Sequence, residues 1–473
     1  MQAEDVIARE GGLKRALTSR QLTMIGLGGA LGTGLFMGSG IAIAYAGPGV
    51  LVSYVIAAFI ALAVMYSLSE MAVAHPTAGS FGTYADIYLS PWTGFLVRYT
   101  YWAAQVVAIG GEAVAIGQYL TYWFPSLPIW TSALVAGSTI FYVNSRSVAN
   151  FGTAEYWLSM IKVTAVIAFI LFGLAAIVGI GTPATGFDNY TVDGGPFPHG
   201  YKGVWMAVIM AVFSFTGMEV IAVTAGEAEN PSVSLPRAMK QMLLRLALFY
   251  FLSLAVILAV TPWSHTGATV VTQSPFVRVF ANFGFAWAAS VMNFVIISAA
   301  FSSMNTNLYL CTRMLFSLAR SKDAPRALGE VSTRGVPWLA AAVSTAGVLV
   351  AAMTAYVSTK AYNYLFGVAL FGAILTWIII LSTHIQFRRK YSKEKLAQLA
   401  VRAPFSPYMQ ILGLVLLVAV LVTMGLDSEF WDIAIIVGVP WVAAVSLCYA
   451  LVRLRRARRA VTPRVEVAAG NDA

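Results

Sequence analysis

The sequence predicts an all-α integral membrane protein with twelve transmembrane helices. Three observations carry this. Hydrophobic residues make up 59% of the 473 and charged residues only 11%, where a soluble domain carries about 25% charged. Mean hydropathy is +0.76. Apolar runs of about 20 residues, the length that crosses a bilayer core, recur along the whole chain between turns such as Ala46-Gly47-Pro48-Gly49 and Thr182-Pro183. So few charges cannot cover a water-facing surface, and the same numbers exclude disorder, collagen and a disulfide scaffold. Transport, channel, receptor and intramembrane-enzyme functions are left.

Taken in order, residues 1–20 are polar and lack the apolar core of a signal peptide, so this end is expected on the cytoplasmic side. Spans are expected at 21–45, 49–71, 97–120, 128–144, 156–178, 203–225, 243–261, 281–315, 337–357, 362–386, 408–426 and 431–452, with 453–473 as a basic tail. Of the Lys and Arg residues, the outer loops hold only Lys202, Arg278 and Lys360, and Lys162 lies inside a span. All the others, Arg98, Arg313 and the Arg453–Arg459 cluster included, fall on the amino-terminal side of the membrane. This bias predicts an even number of spans with both ends cytoplasmic, and it explains the net charge of +10. It is an orientation signal rather than a nucleic-acid footprint, and the Arg453–Arg459 cluster reads as a stop-transfer flank ahead of a lipid contact. Cys311 and Cys448 sit in apolar stretches, and the four histidines are far apart, so no disulfide framework, metal site or cofactor is expected.

Two spans look broken. The first contains Gly26-Leu27-Gly28-Gly29-Ala30-Leu31-Gly32-Thr33-Gly34-Leu35-Phe36-Met37-Gly38-Ser39-Gly40, and each helical glycine costs about 1 kcal/mol relative to alanine. Close helix packing through small-xxx-small spacing is one reading. The other is an unwound stretch around Gly29–Gly34, tolerated at that depth only where it lines a cavity or is buried in protein. The sixth span carries Phe213-Ser214-Phe215-Thr216-Gly217-Met218-Glu219 midway along an apolar run. Two interrupted spans at corresponding places in two halves point to an inverted-repeat transporter and its binding site. A break exposes N–H groups at one half-helix start and C=O groups at the other half's end. The first suits a carboxylate and the second an ammonium; together they fit a zwitterionic amino acid.

Three charges lie well inside the expected spans: Glu112, Lys162 and Glu219. Each costs about 2.5–3.5 kcal/mol to insert. Glu112 shares a helix face with Gln105, Ala108, Ala115 and Tyr119, and reads as a pocket group or as a hydrogen-bonded tie between helices. Lys162 reads as a snorkelling cation, as the partner of Glu155 and Ser159 on its own face, or as a lysine that gains and loses a proton. Glu219 reads as a helix cap or a proton relay. In the eighth span, Ser302-Ser303-Met304-Asn305-Thr306-Asn307 either glues helices together or lines a path. Phe213 and Phe215 are candidate shutters of the pocket.

These motifs together resemble one family. Gly28 through Gly40 is similar to the first-helix motif of bacterial amino-acid permeases of the amino acid–polyamine–organocation superfamily, amino acid transporter subgroup. Phe213–Glu219 followed by Ala225-Gly226-Glu227-Ala228-Glu229-Asn230-Pro231 resembles their sixth helix and the loop after it. Glu155-Tyr156-Trp157 through Lys162-Val163 resembles their fifth, and Glu70-Met71 with Pro76-Thr77-Ala78-Gly79-Ser80 the loop after their second. The resemblance implies a five-plus-five inverted repeat, 21–180 and 203–390, with two extra helices at 408–452, in the bacterial inner membrane. It implies a substrate carboxylate on backbone N–H groups near Thr33 and Gly34, and an amino group near the carbonyls of Phe213 and Thr216. Gly29, Gly32, Ser214, Phe215 and Glu112 complete that expected site. Lys162 stands where sodium-driven relatives bind a cation, which makes protons the implied coupling ion, with Glu219 as a second proton-coupling residue. Thr216 and Met218 depart from the subgroup's usual residues, which leaves the substrate unassigned. Import by proton symport is the expected function and exchange the alternative. A channel would need a filter or charged ring and an enzyme a catalytic constellation; the sequence displays neither.

Overall fold

Where there is no water, the backbone must satisfy its own hydrogen bonds, and helices do so within one segment. The computed structural model describes residues 17–32, 34–146, 148–181, 183–229, 231–266, 274–282, 286–333, 335–358, 361–426 and 431–461. Among these the elements are helical, and the extended pairing is one parallel bridge between Leu17 and Ala228. In chain order the α-helices are α1 (Ser19–Ala30), α2 (Ser39–Ala46), α3 (Val50–Ala74), α4 (Ser80–Tyr88), α5 (Pro91–Leu120), α6 (Ile129–Arg146), α7 (Val148–Val178), α8 (Gly200–Ser214) and α9 (Val220–Val223). They continue as α10 (Pro231–Val260), α11 (Trp263–Thr266), α12 (Pro275–Asn282), α13 (Ala286–Arg320), α14 (Trp338–Val357), α15 (Ala361–Lys390), α16 (Lys393–Ala397), α17 (Tyr408–Leu426) and α18 (Asp432–Val461). Eight described helical stretches are long and apolar enough to cross a membrane, the first of them running from Ser19 to Ala74.

Several helices overrun the apolar runs that predict them. α5 starts at Pro91 rather than 97, because Ser90 caps it and accepts from the Thr93 amide at 3.1 Å, with proline at the first helical position. α7 starts at Val148 rather than 156, and α10 at Pro231 rather than 243. The expected 281–315 span corresponds to α13, which runs on to Arg320. The overruns change where charges lie. Arg98 and Arg313, expected in loops, are buried within α5 and α13, and Glu155 is buried within α7. Buried charge is therefore not confined to Glu112, Lys162 and Glu219. Hydropathy counts only apolar residues, so a helix whose ends are held by ion pairs outruns its own signal.

Those ion pairs cluster at the end of the bundle that carries the basic residues. Arg98 pairs with Asp86 of α4 and donates to Ser317 and Ser321, each at 2.9 Å. Arg313 reaches both carboxylate oxygens of Glu227 at 2.7 and 3.0 Å, and the Tyr309 hydroxyl donates to the same carboxylate at 2.9 Å. Glu70 accepts from Arg388 and the Ala403 amide at 2.8 Å and lies 2.9 Å from His384. His75, at the end of α3, lies 2.6 Å from the Tyr88 hydroxyl among the rings of Tyr84, Phe387 and Tyr391. At the centre, α1 packs on α7, α10 and α13, and α8 on α2 and α3. This arrangement brings the two glycine-rich segments face to face.

Candidate functional site

The first break follows from α1 running into its glycines. Thr18 and Gln21 form a capping box that fixes the start of α1. The helix closes at Ala30, with the Leu31 amide still donating to the Leu27 carbonyl at 2.9 Å. The chain resumes as a π-turn, Gly34–Gly38, before α2. The second break follows α8. Residues 215–219 turn, and Gly217 adopts φ 91°, a conformation that L side chains rarely take. The two breaks touch through bare backbone. A Cβ on Gly29 would lie 2.9 Å from the Gly217 carbonyl oxygen, and one on Gly217 would overlap the Gly29 carbonyl. Side chains here would separate the helices.

Hydroxyls stitch the pair together. Tyr250 of α10 donates towards the Ala30 carbonyl at 2.8 Å and the Ser214 carbonyl at 2.5 Å. Ser214 donates towards the Gly34 carbonyl at 3.1 Å and meets the Tyr54 hydroxyl at 2.9 Å. Glu219 is spent on its own break: its carboxylate accepts from the Gly217 amide at 3.1 and 3.2 Å and from the Tyr101 hydroxyl at 2.9 Å.

A cavity of about 40 Å³ lies between the breaks. The first break contributes Gly29, Ala30, Gly32 and Gly34, and the second Phe213, Ser214, Thr216 and Gly217. α5 contributes Ala104, Gln105, Ala108 and Glu112, α13 contributes Ser303 and Asn307, and α15 contributes Ala369 and Ala373. The Phe213 carbonyl accepts from the Thr216 amide at 2.9 Å and the Thr216 hydroxyl at 2.7 Å. The Phe213 ring also packs against Phe366, ring centres 3.9 Å apart and planes tilted by 44°.

Beside the cavity, fully buried Lys162 donates to the Gly28 carbonyl at 2.5 Å and the Ser302 hydroxyl at 2.8 Å. Ser302 in turn donates to Glu155, whose other oxygen accepts from Asn305 at 2.9 Å. One ammonium thus ties α7 to the carbonyl end of α1, where the helix dipole is negative, and one hydroxyl links it to a carboxylate.

The amino acid permease family model matches residues 21–459. The chain belongs to the amino-acid permease family. It is 39% identical to the uncharacterized amino acid permease YtnA of Bacillus subtilis (strain 168), over 91% of this chain and 93% of that protein. It is 36% identical to the γ-aminobutyric acid permease of the same organism, over 91% and 92%. It is 36% identical to the aromatic amino acid transport protein AroP of Escherichia coli O157:H7, over 92% and 95%. The permease is a multi-pass membrane protein that transports amino acids, not an enzyme.

Of the residues expected at its site, Gly29, Gly32, Gly34, Glu112, Phe213, Ser214 and Thr216 line the cavity together. Phe215 does not; it packs against Tyr54 and Tyr250. Thr33 lies outside the described residues. Lys162 reaches the first break from outside the cavity, and Glu219 holds the second. The polar run of α13 does both things foreseen for it: Ser303 and Asn307 face the cavity, while Ser302 and Asn305 bind Glu155. Ala369 and Ala373 carry no signal in the sequence beyond their small size.

Proposed function

We propose that the permease imports an amino acid by proton symport through alternating access. The architecture proposed is twelve transmembrane helices, with repeats at 21–180 and 203–390, added helices at 408–452, and residues 1–20 and 453–473 in the cytoplasm of a bacterial cell, below the inner membrane. The substrate carboxylate sits on the N–H groups at Thr33 and Gly34, and its amino group faces the carbonyls of Phe213 and Thr216. Gly29, Gly32 and Ser214 shape the space, Phe215 backs it through its contacts with Tyr54 and Tyr250, and Glu112, beside Gln105 and Asn307, meets the substrate side chain. Because the free volume is so small, the helices carrying the two breaks part to admit it. Lys162 takes and releases the coupling proton, and Glu219 holds the second break in register with it.

The observation that carries this reading is the bond from buried Lys162 to the Gly28 carbonyl at 2.5 Å. As an ammonium, Lys162 pulls on the end of α1; as an amine it pulls far less. Protonation and the position of the first break are therefore linked, which is the differential interaction that a population shift requires. The test is uptake by vesicles containing the purified protein, with aromatic amino acids and γ-aminobutyrate as first probes. An outside-acid pH gradient is expected to drive accumulation above equilibrium. Lys162→Ala is expected to lower the accumulation ratio to one. Accumulation that ignores the pH gradient, or uptake that proceeds only against internal amino acid, would remove symport.

A further inference from the structure

The bundle holds a second, larger concavity away from the two breaks. It lies at the basic end, between the start of α5, the turn after α13 and the last turns of α18, and encloses about 730 Å³. Its walls are apolar and aromatic: Phe95, Tyr99 and Trp102 from α5 face Trp441, Val445 and Val452 from α18. Trp441 and Arg456 are fifteen residues apart, so at 1.5 Å per residue the groove runs about 22 Å along α18. That is long enough for an acyl chain of one leaflet, given a hydrocarbon core of about 30 Å.

The mouth is built differently from the walls. Arg456 donates to Asp323 at 2.9 Å and to the Lys322 carbonyl, and the Tyr99 hydroxyl donates to the Asp323 carbonyl at 3.1 Å. These bonds hold Lys322 at φ 63°, where residues other than glycine are uncommon. They also neutralise Asp323. The side chains of Lys322 and Arg455 then stand exposed at the rim with no protein acceptor among the described residues. An apolar slot within the bilayer, ending in two free cations, matches one kind of molecule in both parts.

We propose that this groove is a binding site for an anionic glycerophospholipid, with the acyl chains between α5 and α18 and the phosphate at Lys322 and Arg455. The charge at the rim distinguishes this occupant from a neutral lipid, and the length of the apolar wall distinguishes it from a free phosphate.

The permease carries its own reporter. Cys448 is exposed and lines the groove, whereas Cys311 is buried, so a maleimide modifies Cys448 first. In purified full-length protein in neutral detergent, phosphatidylglycerol is expected to slow that modification severalfold. Phosphatidylcholine is expected to slow it much less, and glycerol phosphate not at all. Lys322→Ser combined with Arg455→Ser changes two exposed residues outside the transport cavity. It should raise the phosphatidylglycerol concentration needed for half-protection by roughly 30-fold, the effect of two surface cations, and leave phosphatidylcholine unaffected. The proposal is overturned by equal protection from both lipids, by protection from glycerol phosphate, by no protection from phosphatidylglycerol, or by an unchanged double variant. Protection that follows protein concentration rather than lipid would overturn it too, assigning the groove to a second copy of the chain.

Discussion

Single side chains set much of this molecule's behaviour, and their legibility varied with the reason for their burial. Lys162 stands out in the sequence because an ammonium inside an apolar run is costly. Glu155 stands out less, since it falls just before the run and the sequence marks it only as a candidate partner for Lys162; α7 starting at Val148 brings it inside the helix. The Phe213 carbonyl is a further lesson. It takes two hydrogen bonds from Thr216, so a ligand ammonium must displace the Thr216 hydroxyl to reach it. His75 gives a prediction at this scale. Burial, helped by the nearby charge of Lys395, pushes its imidazole down to about 4 from an ordinary 6.5. Between those values the unfolded chain binds a proton that the folded protein refuses. Stability contributed here is thus intact above about 6.5, falls as pH drops through the window, and is gone below about 4, a loss of at most roughly 3 kcal/mol. His75→Gln should flatten the decline in apparent melting temperature between pH 6.5 and 4; a decline identical to wild type would show that His75 does not cause it.

At the scale of elements, the two breaks were the most readable feature and the helix ends the least. Glycine crowding and the Phe-Ser-Phe-Thr-Gly-Met-Glu segment mark interruptions through backbone cost, which is local and visible in sequence. The start of α5 rests on the Ser90 cap and Pro91, which an apolar count does not weigh, and its early turns carry Arg98, whose partner Asp86 lies on another helix. The sharpest test of the paired breaks is Gly217→Ala. Alanine at φ 91° costs about 1–3 kcal/mol in backbone strain, and its Cβ would overlap the Gly29 carbonyl. We expect a markedly lower melting temperature and loss of amino-acid uptake. A variant that melts and transports like wild type would mean that the breaks do not need this bare contact.

For the whole molecule, composition predicted the membrane class from few numbers, and the charge bias predicted a basic end. It did not predict that part of that charge is structural. Glu227 and Arg313 show this: both are buried, and they join the segment after α9 to α13. Arg313→Met leaves a buried carboxylate without its partner and should cost about 3–5 kcal/mol. Adding Glu227→Gln should restore a good part of the melting temperature, because a neutral pair avoids the stranded charge. If the double variant is no better than the single, the pair is not the source of the loss. One small feature has practical reach. The amide of Leu17 donates to the Glu227 carbonyl at 3.1 Å, and its carbonyl accepts from the Glu229 amide at 3.2 Å. The front of the chain is therefore knotted to the trailing piece of a broken helix, like a cord tied to a door handle. A fluorescent protein or purification handle grafted upstream of Leu17 would load the segment tied to the second break, whereas the same cargo hung from the end of α18 would ride on a helix remote from both interruptions.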